Sequence, residues 1–186
     1  MNSLLIAGTE GTPLHVMTTG KYEEWLVQQP TFTQNWLSQI SFSKEGVAII
    51  PDDQGQLSQA IFVNDTPEHY FACGDMINQL PEGQFSLQCD EKHTEAIAFA
   101  WLAGSYRFEL YKKSGKTFPT LVINNAELVN KATIMAAGTK LCRDLVNTPA
   151  GDMMPINLGD TAQNLVEQFG GELTQIIGDE LIENNY

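Results

Sequence analysis

The sequence predicts an α/β protein: a layered domain with a mixed β-sheet flanked by helices, followed by a long interdomain helix. Three observations predict it. Short apolar runs of strand length alternate with amphipathic helical patterns. Two of those runs are separated by one tight turn, which makes that pair antiparallel and the sheet mixed. Residues 126–146 then carry an unbroken helical pattern that stops at Asn147-Thr148-Pro149.

The elements follow in order. Leu14 to Thr18 reads as a strand. Gly20 opens a short helical pattern with Tyr22, Trp25 and Leu26 on one face, stopped by Pro30; a second piece carries Phe32, Trp36, Leu37 and Ile40. The runs Gly46–Ile50 and Leu57–Val63 flank Pro51-Asp52-Asp53-Gln54-Gly55. In such a turn Gly tolerates positive φ and Asp bonds nearby backbone, so the two runs form a hairpin. Asp65-Thr66-Pro67-Glu68 has the chemistry of a helix start, with Pro in the first turn, and predicts a helix reaching Leu80. Phe85 to Cys89 alternates as a strand.

Lys92 to Tyr111 is the strongest helical pattern, apolar nearly all round its middle, and so is expected to be buried on several sides. Thr120 to Ile123 is a short buried strand. The helix over 126–146, about six turns long at 3.6 residues each, has two apolar stripes. One is Leu128, Ala132, Met135, Thr139, Cys142 and Val146; the other is Ile134, Gly138, Leu141 and Leu145. A further helix covers Ile156 to Phe169 with Gly170-Gly171 as its cap. Leu173 to Ile177 reads as a strand, and a helical turn or two begins at Gly178.

Composition bounds the function. With 186 residues, 42% of them hydrophobic and only 18% charged, the chain can bury a real core and is not a disordered tail. Ten basic residues against twenty-three acidic ones give a net charge of −13, and only Lys112, Lys113 and Lys116 cluster, which argues against nucleic-acid binding. No apolar run approaches the ~18 residues that span a bilayer, and Met1 to Ala7 lacks the basic start of a secretory signal. Cys73, Cys89 and Cys142 form no CxxC pair and suit reduced thiols, read as small core residues. The expected location is cytoplasmic.

Candidate sites are few. His69 with Cys73, and Cys89 with His93, are i, i+4 couples that could present a Cys2His2 zinc set. Cys89 closes a predicted strand, however, so the second spacing is not helical, and core thiols with surface or capping histidines are the simpler reading. Asp144, Asp152 and Asp160 recur every eight residues across a helix end and a proline; surface and capping roles suit them better than a ligand set. Gly8-Thr9-Glu10-Gly11 is a loop rather than a phosphate cradle, and no nucleophile elbow or nucleotide fingerprint occurs. Trp25, Trp36 and Trp101 read as core. No catalytic, cofactor-binding or metal-binding residue is assigned.

Three segments carry a family resemblance. Leu141-Cys142-Arg143-Asp144-Leu145-Val146-Asn147-Thr148-Pro149-Ala150-Gly151-Asp152-Met153-Met154-Pro155 resembles the segment joining the two domains of leucyl aminopeptidases, where the pattern is close to R-(D/N)-L-V-N-x-P-x-x-x-x-x-P. Ala98 to Phe108 is similar to that family's G-W-x-L-G-x-Y-x-F helix, with alanine in place of the first glycine, and the Ile49–Gly55 turn is similar to that of one bacterial branch. The resemblance implies a macro-domain-like N-terminal α/β domain over 1–125, an interdomain helix and linker over 126–149, and the start of a catalytic domain over 150–186. It implies a non-catalytic domain of a cytosolic two-metal aminopeptidase that removes N-terminal amino acids from peptides. Zinc or manganese would be held by the catalytic domain, and the subunits would form a homo-hexamer. The family's Gly-rich lysine segment and its N-T-D-A-E-G-R motif do not occur here. The chain is therefore expected to be a piece cut before the catalytic residues and inactive alone. The alternative is a free-standing macro-like domain that binds a small ligand such as a nucleotide.

Overall fold

The computed structural model describes residues 3–186. The chain divides into two compact units, Met1–Lys140 and Leu141–Tyr186. The first unit is built on one six-stranded sheet. Its strands are β1 (Leu5–Ala7), β2 (Thr12–Met17), β3 (Gly46–Pro51), β4 (Leu57–Val63), β5 (Gln84–Gln88) and β6 (Thr120–Ile123), in the order β1-β6-β5-β2-β4-β3. All neighbours are parallel except β3 and β4, the hairpin read from the Pro51–Gly55 turn. Asp52 closes that turn: its Oδ1 accepts from Gln54 N at 2.9 Å and from Gln56 N at 2.8 Å.

Side chains alternate across a strand, and β4 shows what that does here. Ala60 and Phe62 enter one apolar cluster, while Ile61 and Val63 enter the other. The larger cluster lies under α3 (Met76–Gln79), α4 (Thr94–Gly104) and the first turns of α5 (Ala126–Asn147). The smaller one lies under α1 (Thr19–Val27) and α2 (Thr31–Gln39), with Tyr22 and Leu37 buried. Every residue of α4 from Ala96 to Trp101 is buried, as its all-round apolar pattern requires. Trp101 Nε1 donates to Leu4 O at 2.9 Å, which satisfies the indole inside the core.

Several sequence expectations are corrected. The helix expected over 65–80 is only the four residues of α3; from Thr66 to Cys73 the chain makes i to i+3 turns. Local side-chain bonds compete with the helix there. Asn64 Oδ1 takes both the N–H and the hydroxyl of Thr66, and Asp65 Oδ1 accepts from Thr19 N at 2.8 Å, serving α1 instead. The helix expected to reach Tyr111 stops at Gly104, where Arg107 Nη1 donates to the carbonyls of Gly104 and Tyr106 and closes the end. Its start is a 3-10 turn, Glu91–His93.

Residues 173–177 are not a strand, because unit Leu141–Tyr186 contains no partner strand to take up their backbone groups. β1 was not anticipated: three residues are too few to show a period, and pairing with β6 defines them. Phe32 and Ile40 are exposed, since α2 buries the Thr33–Leu37 face instead. Ile134 of the second α5 stripe and Cys142 are exposed too. Trp25 and Trp36 sit half-buried at the rim; only Trp101 is deep core.

Candidate functional site

In open α/β sheets ligands meet the carboxyl ends of the strands, and two clefts open there in the first unit. One, of about 410 Å³, lies past β5 and β6 and is lined by Cys89, Lys92, Thr94, Glu95, Asn124 and Asn125 among others. The other, of about 420 Å³, lies past β2 and β5 and includes His15, Lys21, Trp25, Gln88 and Asp90. Cys89 borders both. Asn125 was overlooked in the sequence. It caps α5, its Oδ1 accepting from Leu128 N at 2.9 Å, and an Asn between an apolar run and a helix-period run is the signal for that.

The ionisable groups of both clefts are largely paired with one another. Glu95 accepts from Lys131 Nζ at 2.7 Å and from Tyr70 Oη at 2.6 Å, and these bonds hold its carboxyl below the usual range. Asp90 stands 3.3 Å from both Lys21 Nζ and Lys92 Nζ; burial pushes its carboxyl up, but the two ammonium groups prevail and leave it lowered. His15 packs its ring 5.5 Å from that of Trp25. Burial pulls the imidazole below its ordinary value against an opposing hydrogen bond with Gln59. Glu91 in the first cleft and Glu24 in the second line the walls beside these pairs, and the bonds described align no nucleophile with a base.

The zinc set weighed from the sequence does not fit a metal. Cys73 is buried, and its thiol is pushed up to about 12 by burial, then by Cys89 and Glu68. Cys89 Sγ pairs with Thr94 Oγ1 at 3.5 Å. Among the described residues no group of three or more His, Cys, Asp or Glu could hold a metal ion. Asp144 lies on α5, Asp152 in the turn beyond it, and Asp160 is exposed in the second turn of α6 (Pro155–Phe169). Gly8 and Gly11 pack on the sheet: a Cβ would stand 3.2 Å from Val122 Cγ1 at Gly8 and 2.9 Å from Gln84 O at Gly11.

The second unit, taken by itself, is a chain of helices that buries no side chain. α6 begins with Asn157 Oδ1 accepting from Met154 N at 3.0 Å and ends at Gly170 with φ 68°. Its apolar residues are uncovered: Ile156 is 60% exposed, Leu158 54% and Phe169 74%. Ile177 and Ile182 further on are uncovered too.

A parallel sheet with one antiparallel edge strand, flanked on both faces by helices, defines the class as a layered mixed α/β domain. Residues 12–124 match the family model described as M17 aminopeptidase, N-terminal domain, and the chain belongs to that family. It is 35% identical over 85 residues to the probable cytosol aminopeptidase of Aquifex aeolicus, covering 42% of this chain and 17% of that protein. It is 34% identical over 98 residues to the one from Neisseria meningitidis, covering 48% and 21%.

Among solved structures, the cytosol aminopeptidase from Coxiella burnetii superposes with TM-score 0.85 at 25% identity, covering 97% of this chain and 41% of that one. A tomato leucine aminopeptidase mutant shares the fold, with TM-score 0.71 at 15% identity over 98% of this chain and 46% of that one. The chain therefore spans less than half the length of these proteins. No helix among the described residues is long and apolar enough to cross a membrane. Nothing in these matches favours the free-standing nucleotide-binding alternative.

Proposed function

We propose that this chain is the non-catalytic N-terminal part of a cytosolic two-metal leucyl aminopeptidase, one that removes N-terminal amino acids from peptides. Its role is structural: to carry and orient the catalytic part and to help assemble subunits into a homo-hexamer. Residues 1–125 act as the α/β domain, 126–149 as the interdomain helix and linker, and 150–186 as the first elements of the catalytic domain. Zinc or manganese ions, and the peptide substrates, belong to that catalytic domain. A two-metal hydrolase needs clustered ligands to hold both ions and activate water, and the thiols and carboxylates described above do not supply such a cluster.

One observation carries the proposal. The helices beyond residue 140 are built and capped, yet leave Ile156, Leu158 and Phe169 bare. Covering each such side chain is worth roughly 1.5–3 kcal/mol, so these helices are shaped to lie under further protein. The test is hydrolysis of a leucine anilide by this chain with added zinc or manganese. The expected result is no turnover above the metal-only blank. Turnover that survives further purification would overturn the non-catalytic role.

A further inference from the structure

At the opposite end of the sheet from the two clefts, where the chain enters β6, two cations converge on one neutral side chain. Arg107 Nη2 donates to Asn78 Oδ1 at 2.5 Å, and Lys116 Nζ donates to the same oxygen at 3.0 Å. The guanidinium carbon lies 5.2 Å from the Phe118 ring centroid and the ammonium 5.3 Å from it. The two charges therefore stand closer than two hydrogen bonds laid end to end, over one aromatic floor and on one neutral acceptor.

Among the described residues neither cation forms an ion pair with a carboxylate. The neighbouring carboxylate, Asp75, is turned to the far end of the amide. Its Oδ1 accepts from Asn78 Nδ2 at 3.4 Å and its Oδ2 from Gln79 Nε2 at 2.6 Å. Glu109 is engaged by Ser114, and Glu82 by Thr117. Arg107 is held rigidly by the Gly104 and Tyr106 carbonyls and by Asn78, so its position is set before any ligand arrives. Like charges this close repel, and in a chain of net charge −13 surplus cations ordinarily find carboxylates.

We propose that Arg107 and Lys116, held together by Asn78, form a binding site for a dianionic phosphate group, free or as a phosphomonoester. Two cations match a dianion in charge. The planar guanidinium can offer a fork of N–H donors to two phosphate oxygens while the lysine serves as a mobile point charge. Asn78 offers the dianion no donor, its Nδ2 already serving Asp75 Oδ1 and Gly104 O; its part is to hold the two cations side by side. The site is independent of the aminopeptidase reading.

The experiment titrates inorganic phosphate into the whole chain at constant ionic strength, following backbone amide shifts over residues 104–118. Saturable shifts are expected, tighter at pH 8, where phosphate is dianionic, than at pH 6. Sulfate, a dianion at both, should bind about equally at the two. Lys116 is exposed, so Lys116→Gln keeps the fold and is expected to weaken phosphate at least about tenfold. Arg107→Lys should weaken it too, with additional amide shifts at Gly104 and Tyr106, whose carbonyls Arg107 Nη1 holds. Shifts that grow linearly without saturation, or equal affinity in wild type and Lys116→Gln, would overturn the site.

Discussion

At Gly104 the backbone of α4 meets that of Gly74 so closely that a Cβ would stand 1.7 Å from the Gly74 carbonyl oxygen. Gly104→Ala must push two backbones apart, and its cost is expected at or above the ~3 kcal/mol upper end of overpacking. Gly138 is the internal comparison: it is exposed on α5 with nothing within 4 Å of a built Cβ. There alanine should stabilise by roughly 0.5–1 kcal/mol. Urea unfolding of the two variants decides both. The thiols should separate by environment. Exposed Cys142 is expected to react first with a chromogenic disulfide reagent, and Cys73, buried with its thiol pushed up to about 12, only on unfolding. A Cys73 that reacts as fast as Cys142 would mean the α3–α4 core is misplaced.

His15 gives a pH signature. Its folded-state pKa lies below its ordinary 6.5 because burial disfavours the charged ring, so the unfolded chain binds the proton more readily. The stabilisation it reports is complete above pH 6.5 and is lost as pH falls through 6.5 toward the folded value. His15→Gln should flatten the slope of stability between about pH 7.5 and 5.5; an unchanged slope would place the loss elsewhere.

Among the elements, α4 is the one on which the first unit depends, and its middle was legible because no period of 3.6 residues leaves a polar face there. Trp101→Phe removes the bond to Leu4 O and leaves a gap beneath the β1–β6 edge. It should cost about 2 kcal/mol or more, read by thermal or urea denaturation. The hairpin was equally legible, since Asp52 and Gly55 carry turn chemistry in their own residue types. What could not be read were outcomes decided between distant segments. Asp65 looks like a helix cap in sequence, but its carboxylate is taken by Thr19, forty-six residues away. Residues 173–177 have strand composition and lack a neighbour. The Asn78–Arg107–Lys116 convergence spans three segments, so no motif could announce it.

At the scale of the whole molecule, the two units differ in kind. Residues up to Lys140 hold two apolar clusters, one on each face of a continuous hydrogen-bonded sheet, whereas Leu141–Tyr186 buries no side chain of its own. The first has a core of its own, and the second leaves its apolar helix faces uncovered. Hydrogen exchange of the intact monomeric chain, read by mass spectrometry with sizing as control, tests this most directly. The amides of β2, β4, β5 and β6 are predicted to exchange only through global unfolding, and those of α6 to exchange at least about a hundredfold faster through local opening. Protection of α6 as strong as that of β5 in a strict monomer would contradict the claim and assign residues 141–186 a core of their own.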